Sequence, residues 1–330
     1  MNIIAGDIGG TKTLLQILEV EGHARRVLHE RRYESDAYPS FEALLREFLD
    51  AAKATVEYAC FAVAGPLIDD DAHLTNLRWI IRRSTLESSF NIPHVVLVND
   101  FFAVAAGIPL LRADDVVELN AGVRAPHEPV AVLGAGTGLG EALILPCGDE
   151  WEVLASEGGH CDFAPRGPLQ CELLTVLERR YGHVSYERLV SGQGLVNIFT
   201  FLRDRLGVHL EGPIDDDDFP AMIATLADEG NPIARETFEI FIDIYGAEAG
   251  NLALKGLTRG GVYLAGGIGA KNLHRFTDGR FVEAFTRKGR FRDFMLSIPV
   301  NLIINPKVGL MGAAEIAAQR ARTRGRPPSI

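Results

Sequence analysis

The sequence predicts an α/β protein of about two domains. Three observations carry that expectation. Short apolar runs alternate with amphipathic stretches, a strand–glycine turn–strand pattern occurs twice, and 330 residues exceed what one hydrophobic core usually holds.

The apolar runs at 2–5, 59–64, 94–98, 130–133 and 261–265 each end in Gly, Pro, Asn or Asp, as buried strands of an α/β sheet do. Segment 40–54 sets Phe41, Leu44, Leu45, Phe48 and Leu49 on one helical face. A longer helix is expected over 232–257, where Phe238, Phe241, Ile242 and Tyr245 recur at spacings of three and four. Its Gly246, Ala247, Ala249, Gly250 and Ala253 would let another backbone approach closely. Segment 121–129 (AGVRAPHEP) reads as a turn-rich connector. The four acids Asp215, Asp216, Asp217 and Asp218 read as a solvated loop end favouring the next helix N-terminus, with a metal site as the alternative. The tail 320–330, with four arginines and two prolines, reads as a frayed terminus, an interaction arm being the alternative.

Composition excludes several functions. At 47% apolar and 23% charged the chain matches an ordinary globular protein. A net charge of −11 argues against a nucleic-acid partner, whose phosphates require a basic face. The longest apolar-rich segment, around 101–111, is too short for a membrane crossing, and the first residues lack a basic, apolar leader. Four cysteines without a C-x-x-C pair make no disulfide framework, so a cytoplasmic home is expected.

The glycine turns carry the chemistry. A P-loop counted from Gly6 would need glycine at Thr11, although Lys12 and Thr13 follow; a Rossmann fingerprint counted from Gly134 would need glycine at Leu139. Both fail. What remains is a hairpin with Gly9-Gly10-Thr11 at its tip and a second with Gly136-Thr137-Gly138. These segments, 3–18 and 130–145, form a weak internal repeat. Glycine permits positive φ and lets backbone N–H groups close on a phosphate. Thr hydroxyls and Lys12 add donors, and Asp7 at the end of the first strand is placed for Mg²⁺. Ordinary hairpin turns are the plainer reading of either one taken alone. A third glycine turn, 265–269, reads as a strand-to-helix junction.

Taken together, GDIGGTKT at 6–13, GAGTGLG at 134–140 and LAGGIG at 264–269 resemble the phosphate-1, phosphate-2 and adenosine segments of the actin/hexokinase/Hsp70 superfamily. Within it the chain closely resembles the bacterial glucokinases, through VNDF at 98–101, EGGH at 157–160, HVSYER at 183–188 with Ser191-Gly192, GRF at 289–291 and GLMGA at 309–313. The resemblance runs in order over nearly the whole chain. It implies a two-lobed actin-like, ribonuclease H-like ATPase fold with an interlobe cleft. The small lobe would comprise 1–110 with 309–322 and the large lobe 111–308, leaving 323–330 as a tail. ATP and Mg²⁺ would be held by Gly6, Asp7, Ile8, Gly9, Gly10, Thr11, Lys12, Gly136, Thr137, Gly138, Gly266 and Gly267, with Asp7 on the metal. A homodimer is implied by the resemblance alone.

The same resemblance makes Asp100 the base that serves the attacking sugar hydroxyl, and Asn99, Glu157, His160 and Glu187 its companions on the hexose. Taken singly, Asp100 reads as the N-cap of a helix starting near Phe102, Glu157 as a loop acid, Glu187 as a first-turn acid and His160 as a neutral loop histidine. Hexose hydroxyls both donate and accept, so carboxylates, an amide and an imidazole suit them. A sister family of repressors and kinases carries a cysteine-rich zinc motif after this position. Here only Cys161 and Cys171 are near, so no such zinc site can be assembled, and Cys161 is expected to be buried. The rival readings are a kinase of another hexose in the same superfamily, a sugar-responsive regulator without catalysis, a nucleotide-driven chaperone or filament, and a kinase of a carboxylate substrate; ADP or polyphosphate are rival donors.

Overall fold

The computed structural model describes residues 1–22, 24–74, 77–148, 150–208 and 218–323. The chain divides into two compact units, Met1–Arg112 with Asn305–Ile330, and Ala113–Ile304.

The first unit opens with strands β1 (Asn2–Ile8), β2 (Lys12–Glu21) and β3 (Ala24–Glu34), helix α1 (Phe41–Ala52) and strand β4 (Tyr58–Val63). A three-stranded ribbon follows, formed by β5 (Leu67–Ile68), β6 (Asp71–Leu74) and β7 (Trp79–Arg82). Helix α2 (Arg83–Phe90), strand β8 (His94–Asn99) and helix α3 (Asp100–Gly107) come next. The main sheet has the order β3-β2-β1-β4-β8. β1 pairs antiparallel with β2 and parallel with β4, and β4 pairs parallel with β8. Every residue of β4 is buried, because helices cover both faces of the sheet and leave no polar side for an alternating pattern. Ser40 starts α1 by accepting from the Ala43 N–H at 3.3 Å. The apolar face of α1 then packs on Leu15, Phe61 and Trp79. Burying one such Phe side chain contributes about 1.5–3 kcal/mol.

The second unit contains β9 (Val116–Asn120), β10 (Val130–Ala135), β11 (Leu139–Cys147), β12 (Glu150–Ser156), α4 (Gly167–Tyr181), α5 (Gly192–Arg205), α6 (Phe219–Asp228) and α7 (Pro232–Gly256). It continues with β13 (Gly261–Ala265), α8 (Gly267–Lys271), α9 (Leu273–Phe276), α10 (Arg280–Thr286), α11 (Arg292–Leu296) and β14 (Val300–Ile303). Its sheet runs β12-β11-β10-β13-β14-β9. β10 is antiparallel to β11 and parallel to β13, which is parallel to β14. Apart from the added edge strand β9, this repeats the connectivity of the first sheet, so the twin hairpins belong to a duplicated plan. The small residues of α7 do admit a second backbone: a Cβ on Gly246 or Gly250 would lie 2.6 Å from the carbonyl oxygen of Phe281 or Phe285 in α10.

Helix α12 (Val308–Arg322) completes the first unit, packing with α3 on the sheet face opposite α1. The two helices touch backbone to backbone, since a Cβ on Gly312 would overlap the Ala103 carbonyl and one on Gly107 would overlap that of Val308.

Several local expectations need correction. The helix after β8 starts at Asp100, not near Phe102, and its cap is Asn99, whose Oδ1 accepts from the N–H groups of Phe101 at 2.9 Å and Phe102 at 3.4 Å. Cys161 is exposed, because it follows a tight 3₁₀ turn on a surface loop. Of the acidic run, Asp215–Asp217 lie outside the described residues, while Asp218 stands at the N-cap position of α6. Of the arginine-rich tail, 320–322 belong to α12 and 324–330 lie outside the described residues.

Candidate active site

Each unit gathers its share of the candidate residues at the carboxyl ends of its parallel strands, where doubly covered sheets place ligands. In the first unit the β1–β2 turn closes through the Gly9 N–H donating to the Lys12 carbonyl at 2.9 Å. Ser35, wholly buried at the end of β3, braces it. The Ser35 N–H donates to the Thr11 carbonyl at 2.8 Å, and its hydroxyl donates to the Gly9 carbonyl at 2.9 Å and meets the Thr13 hydroxyl at 2.9 Å. Ser35 escaped sequence reasoning because its partners lie more than twenty residues away. Thr11 and Lys12 are exposed on the turn, whereas Gly6 and Ile8 face inward. A Cβ on Gly6 would lie 2.7 Å from both Leu15 and Phe61, so this glycine serves the packing of the sheet.

Asp7, next to last in β1, lies two strands away from Asn99 at the end of β8, with β4 between them. Burial first, and the Asp100 charge second, push the Asp7 carboxyl up from 3.8 to about 6. Burial likewise raises Asp100, opposed by backbone N–H donors including that of Phe101 at 2.8 Å. Asp7, a partly desolvated carboxylate that feels the Asp100 charge, is an oxygen donor of the kind a hard cation takes. Mg²⁺ commonly takes one or two carboxylates and fills its octahedron with waters and phosphate oxygens. The residues present therefore fit such an ion. Gly309 at the start of α12 keeps the space beside Asp7 clear, since a Cβ there would stand 3.3 Å from Asp7 Oδ2.

In the second unit, Gly134 of β10 pairs with Ala265 of β13, which brings the turns 136–138 and 266–267 side by side. Gly266 has a φ of +89°, and a Cβ there would overlap the Ala135 backbone, so only glycine fits. By contrast Gly9, Gly10, Gly136 and Gly138 have no positive φ. Each turn closes through a direct bond, Gly9 N–H to the Lys12 carbonyl and Gly136 N–H to the Gly138 carbonyl, both at 2.9 Å, without using the positive φ that glycine permits. Only some of these positions are open: nothing lies within 4 Å of a Cβ built on Gly136 or on Gly267, whereas one on Gly9 would stand 3.1 Å from the Lys12 carbonyl oxygen.

His160 stands between two acids, with Nε2 3.7 Å from Glu157 Oε2 and Nδ1 3.8 Å from Glu187 Oε1. The 3₁₀ turn after Glu157 sets the spacing, through the His160 N–H to the Glu157 carbonyl at 3.0 Å. Glu187 also touches the glycine turn, accepting from the Leu139 N–H at 3.0 Å, while a Cβ on Gly138 would lie 2.5 Å from its Oε2. Three candidate sugar ligands and one candidate phosphate turn are thus contiguous within this unit.

The profile of the glucokinase family matches residues 4–320. The chain belongs to the glucokinase family. Curated glucokinases of Nostoc punctiforme and Synechocystis are 41% and 42% identical, covering 96% and 97% of this chain and 99% and 98% of theirs. A glucokinase crystal structure from an Antarctic psychrotroph superposes with a TM-score of 0.86 at 30% identity, over 96% of this chain and 99% of that one. The glucokinase of Balamuthia mandrillaris, solved with glucose, shares the fold at a TM-score of 0.79 and 24% identity, over 96% of this chain and 93% of that one. Among the described residues no helix is long and apolar enough to cross a membrane.

The fold employs the candidate ligands Asn99 and Glu157 to different degrees. The Asn99 Oδ1 is taken by its capping role, whereas Glu157 is almost fully exposed, at 93% of its side chain, with its carboxylate 3.7 Å from His160 Nε2. A carboxylate and an imidazole displayed at this spacing are suited to a polyhydroxylated ligand.

Proposed function

We propose that the protein phosphorylates the 6-hydroxyl of glucose from ATP, giving glucose 6-phosphate at the entry to glycolysis. The observation that carries this reading is the contiguous Glu157–His160–Glu187 set beside an open glycine turn, in a chain of the glucokinase family. The assignment requires that set to meet Asn99 and Asp100 of the other unit around one hexose.

In this reading Asn99, Glu157, His160 and Glu187 hold the ring hydroxyls. Each charge-assisted hydrogen bond is worth about 1.5–3 kcal/mol, so an epimer that strands one carboxylate binds much more weakly. Asp100 orients the 6-hydroxyl and accepts its proton late, as charge leaves the oxygen in a loose transition state. Its raised pKa brings the base nearer neutral pH, where proton transfer is most effective. The two hairpin turns present N–H groups, hydroxyls and Lys12 to the phosphates, and the 266–267 turn borders the nucleoside. Mg²⁺ held by Asp7 would neutralise developing phosphate charge.

The four cysteines are free thiols, which suits a reducing cytoplasm. We read the enzyme as a homodimer by resemblance to its family, and sedimentation tests that directly. A coupled assay crossing ATP, ADP and polyphosphate with glucose, mannose and fructose tests the activity. Turnover of glucose with ATP above all other pairs is the expected result. Preference for another acceptor or donor overturns the substrate assignment, and no sugar turnover at all overturns the reading.

A further inference from the structure

The β1–β2 turn hangs from one buried side chain that has no part in the chemistry just described. Ser35 lies where β3 gives way to a 3₁₀ turn (Ser35–Ala37) and is 0% exposed. Its two polar groups reach two different carbonyls of the turn. The N–H donates to Thr11 at 2.8 Å, one step beyond the last β2–β3 pair, Lys12 with Glu34. The hydroxyl donates to Gly9 at 2.9 Å and meets the Thr13 hydroxyl, itself 0% exposed, at 2.9 Å. A hydroxyl has one proton, so with that proton on Gly9 the Ser35 oxygen accepts from Thr13.

Peptide geometry converts these bonds into an orientation. The turn contains no cis bond, and a trans peptide sets its C=O and N–H on opposite sides. Drawing the Gly9 carbonyl toward buried Ser35 therefore turns the Gly10 N–H outward, in a turn whose Thr11 and Lys12 are exposed. Local preference does not fix that direction. Gly9 and Gly10 are two consecutive residues of the widest φ/ψ freedom, so without an outside restraint the peptide between them can flip. Ser35 supplies the restraint from a neighbouring strand.

We propose that Ser35 is a positioning residue for the phosphate donor, its hydroxyl holding the Gly9–Gly10 peptide so that the Gly10 N–H faces a nucleotide phosphate. This rests on the ATP reading of the turn. A merely stabilising role would be shared by Ser35 and Thr13, whose hydroxyls lie in one buried chain of hydrogen bonds. Orientation of the Gly10 N–H belongs to Ser35 alone, because only Ser35 reaches the Gly9 carbonyl from that chain.

The test compares Ser35→Ala with Thr13→Val, which removes the Thr13 bond and leaves the Ser35 hydroxyl its acceptor on Gly9. Binding of a non-hydrolysable ATP analogue with Mg²⁺ is measured by titration calorimetry without sugar, beside thermal melts. Both variants should lower Tm. Ser35→Ala should weaken nucleotide binding about tenfold, the worth of one phosphate hydrogen bond, with Thr13→Val within about twofold of the parent. In steady-state kinetics the Ser35→Ala change should appear in the KM of ATP and not in that of glucose. Parental nucleotide affinity in Ser35→Ala overturns the proposal. Equal weakening in Thr13→Val also overturns it, since Ser35 would then act on the fold alone. Should Ser35→Ala not fold, Ser35→Cys, a weak donor of similar size, decides by the same comparison. A parent that binds the analogue without phosphorylating glucose overturns the glucokinase reading and leaves the Ser35 comparison to be judged on binding. A parent that binds no nucleotide overturns the inference itself.

Discussion

The Glu187 carboxylate accepts the Leu139 N–H at 3.0 Å, which fastens a candidate sugar ligand to the strand just after the 136–138 glycine turn. The Gly192 N–H donates to the Gly136 carbonyl at 2.8 Å and ties the same turn to the start of α5. In the proposed reading a side chain so placed would couple the sugar and nucleotide sites. Glu187→Ala is therefore expected to raise the KM of glucose by about 10–100-fold, the worth of one or two charge-assisted bonds. The KM of ATP should rise with it, by several-fold. Steady-state kinetics with each substrate varied would show the coupling, and an unchanged ATP KM would count against it.

Asp100 and Asn99 are neighbours with separable duties. Asn99 caps α3, so Asp100→Asn should fold normally while kcat falls by about 10²–10⁴, the usual contribution of a positioned base. Asn99→Ala should instead cost about 1 kcal/mol of stability through the lost cap, and weaken glucose binding as well. Melting curves beside kcat and KM would separate the two. A Asp100→Asn enzyme close to parental kcat would remove Asp100 from the chemistry.

Gly136 and Gly312 provide a contrast between space for a ligand and space for a neighbouring helix. A Cβ on Gly136 meets nothing within 4 Å and its φ is not positive, so Gly136→Ala should leave Tm within about 1 °C while raising the KM of ATP. Gly312→Ala, driven into the Ala103 carbonyl, should lower Tm by several degrees whatever the substrate. Nucleotide titration followed by thermal shift would measure both effects.

Much of this was legible in the sequence, and what was not has identifiable causes. The two glycine hairpins declared themselves because strand–turn–strand signals are local and the failure of the P-loop and Rossmann spacings is a matter of counting. Their shared sheet order was hidden, since β1–β4 and β10–β13 pairings join residues separated by long stretches of chain. The cap after β8 fell to Asn99 because Asn and Asp compete equally for such positions and the backbone decides. Ser35 went unnoticed because a buried serine has no sequence signature.

Asp7 should trade stability for function. Its proton is bound more tightly in the folded chain, at about 6 against an ordinary 3.8, so its stabilising share is complete below 3.8 and is lost as pH rises through 6. Asp7→Asn removes the charge that is costly above that range. Its Tm should exceed the parent's by about 2–4 °C at pH 8, roughly 1 kcal/mol, and by less at pH 5. Activity should fall sharply, and in the parent the apparent affinity for Mg²⁺ with nucleotide should weaken as pH drops through 6. Equal Tm differences at the two pH values would contradict this account of the pair.

The most direct measurement is a crystal structure of the Asp100→Asn enzyme with glucose and a non-hydrolysable ATP analogue. A single hexose is expected within hydrogen-bonding distance of residues 99, 100, 157, 160 and 187, its 6-hydroxyl turned toward residue 100 and the γ-phosphate in line beyond it. Glucose bound elsewhere, or residue 100 facing away from it, would contradict the account.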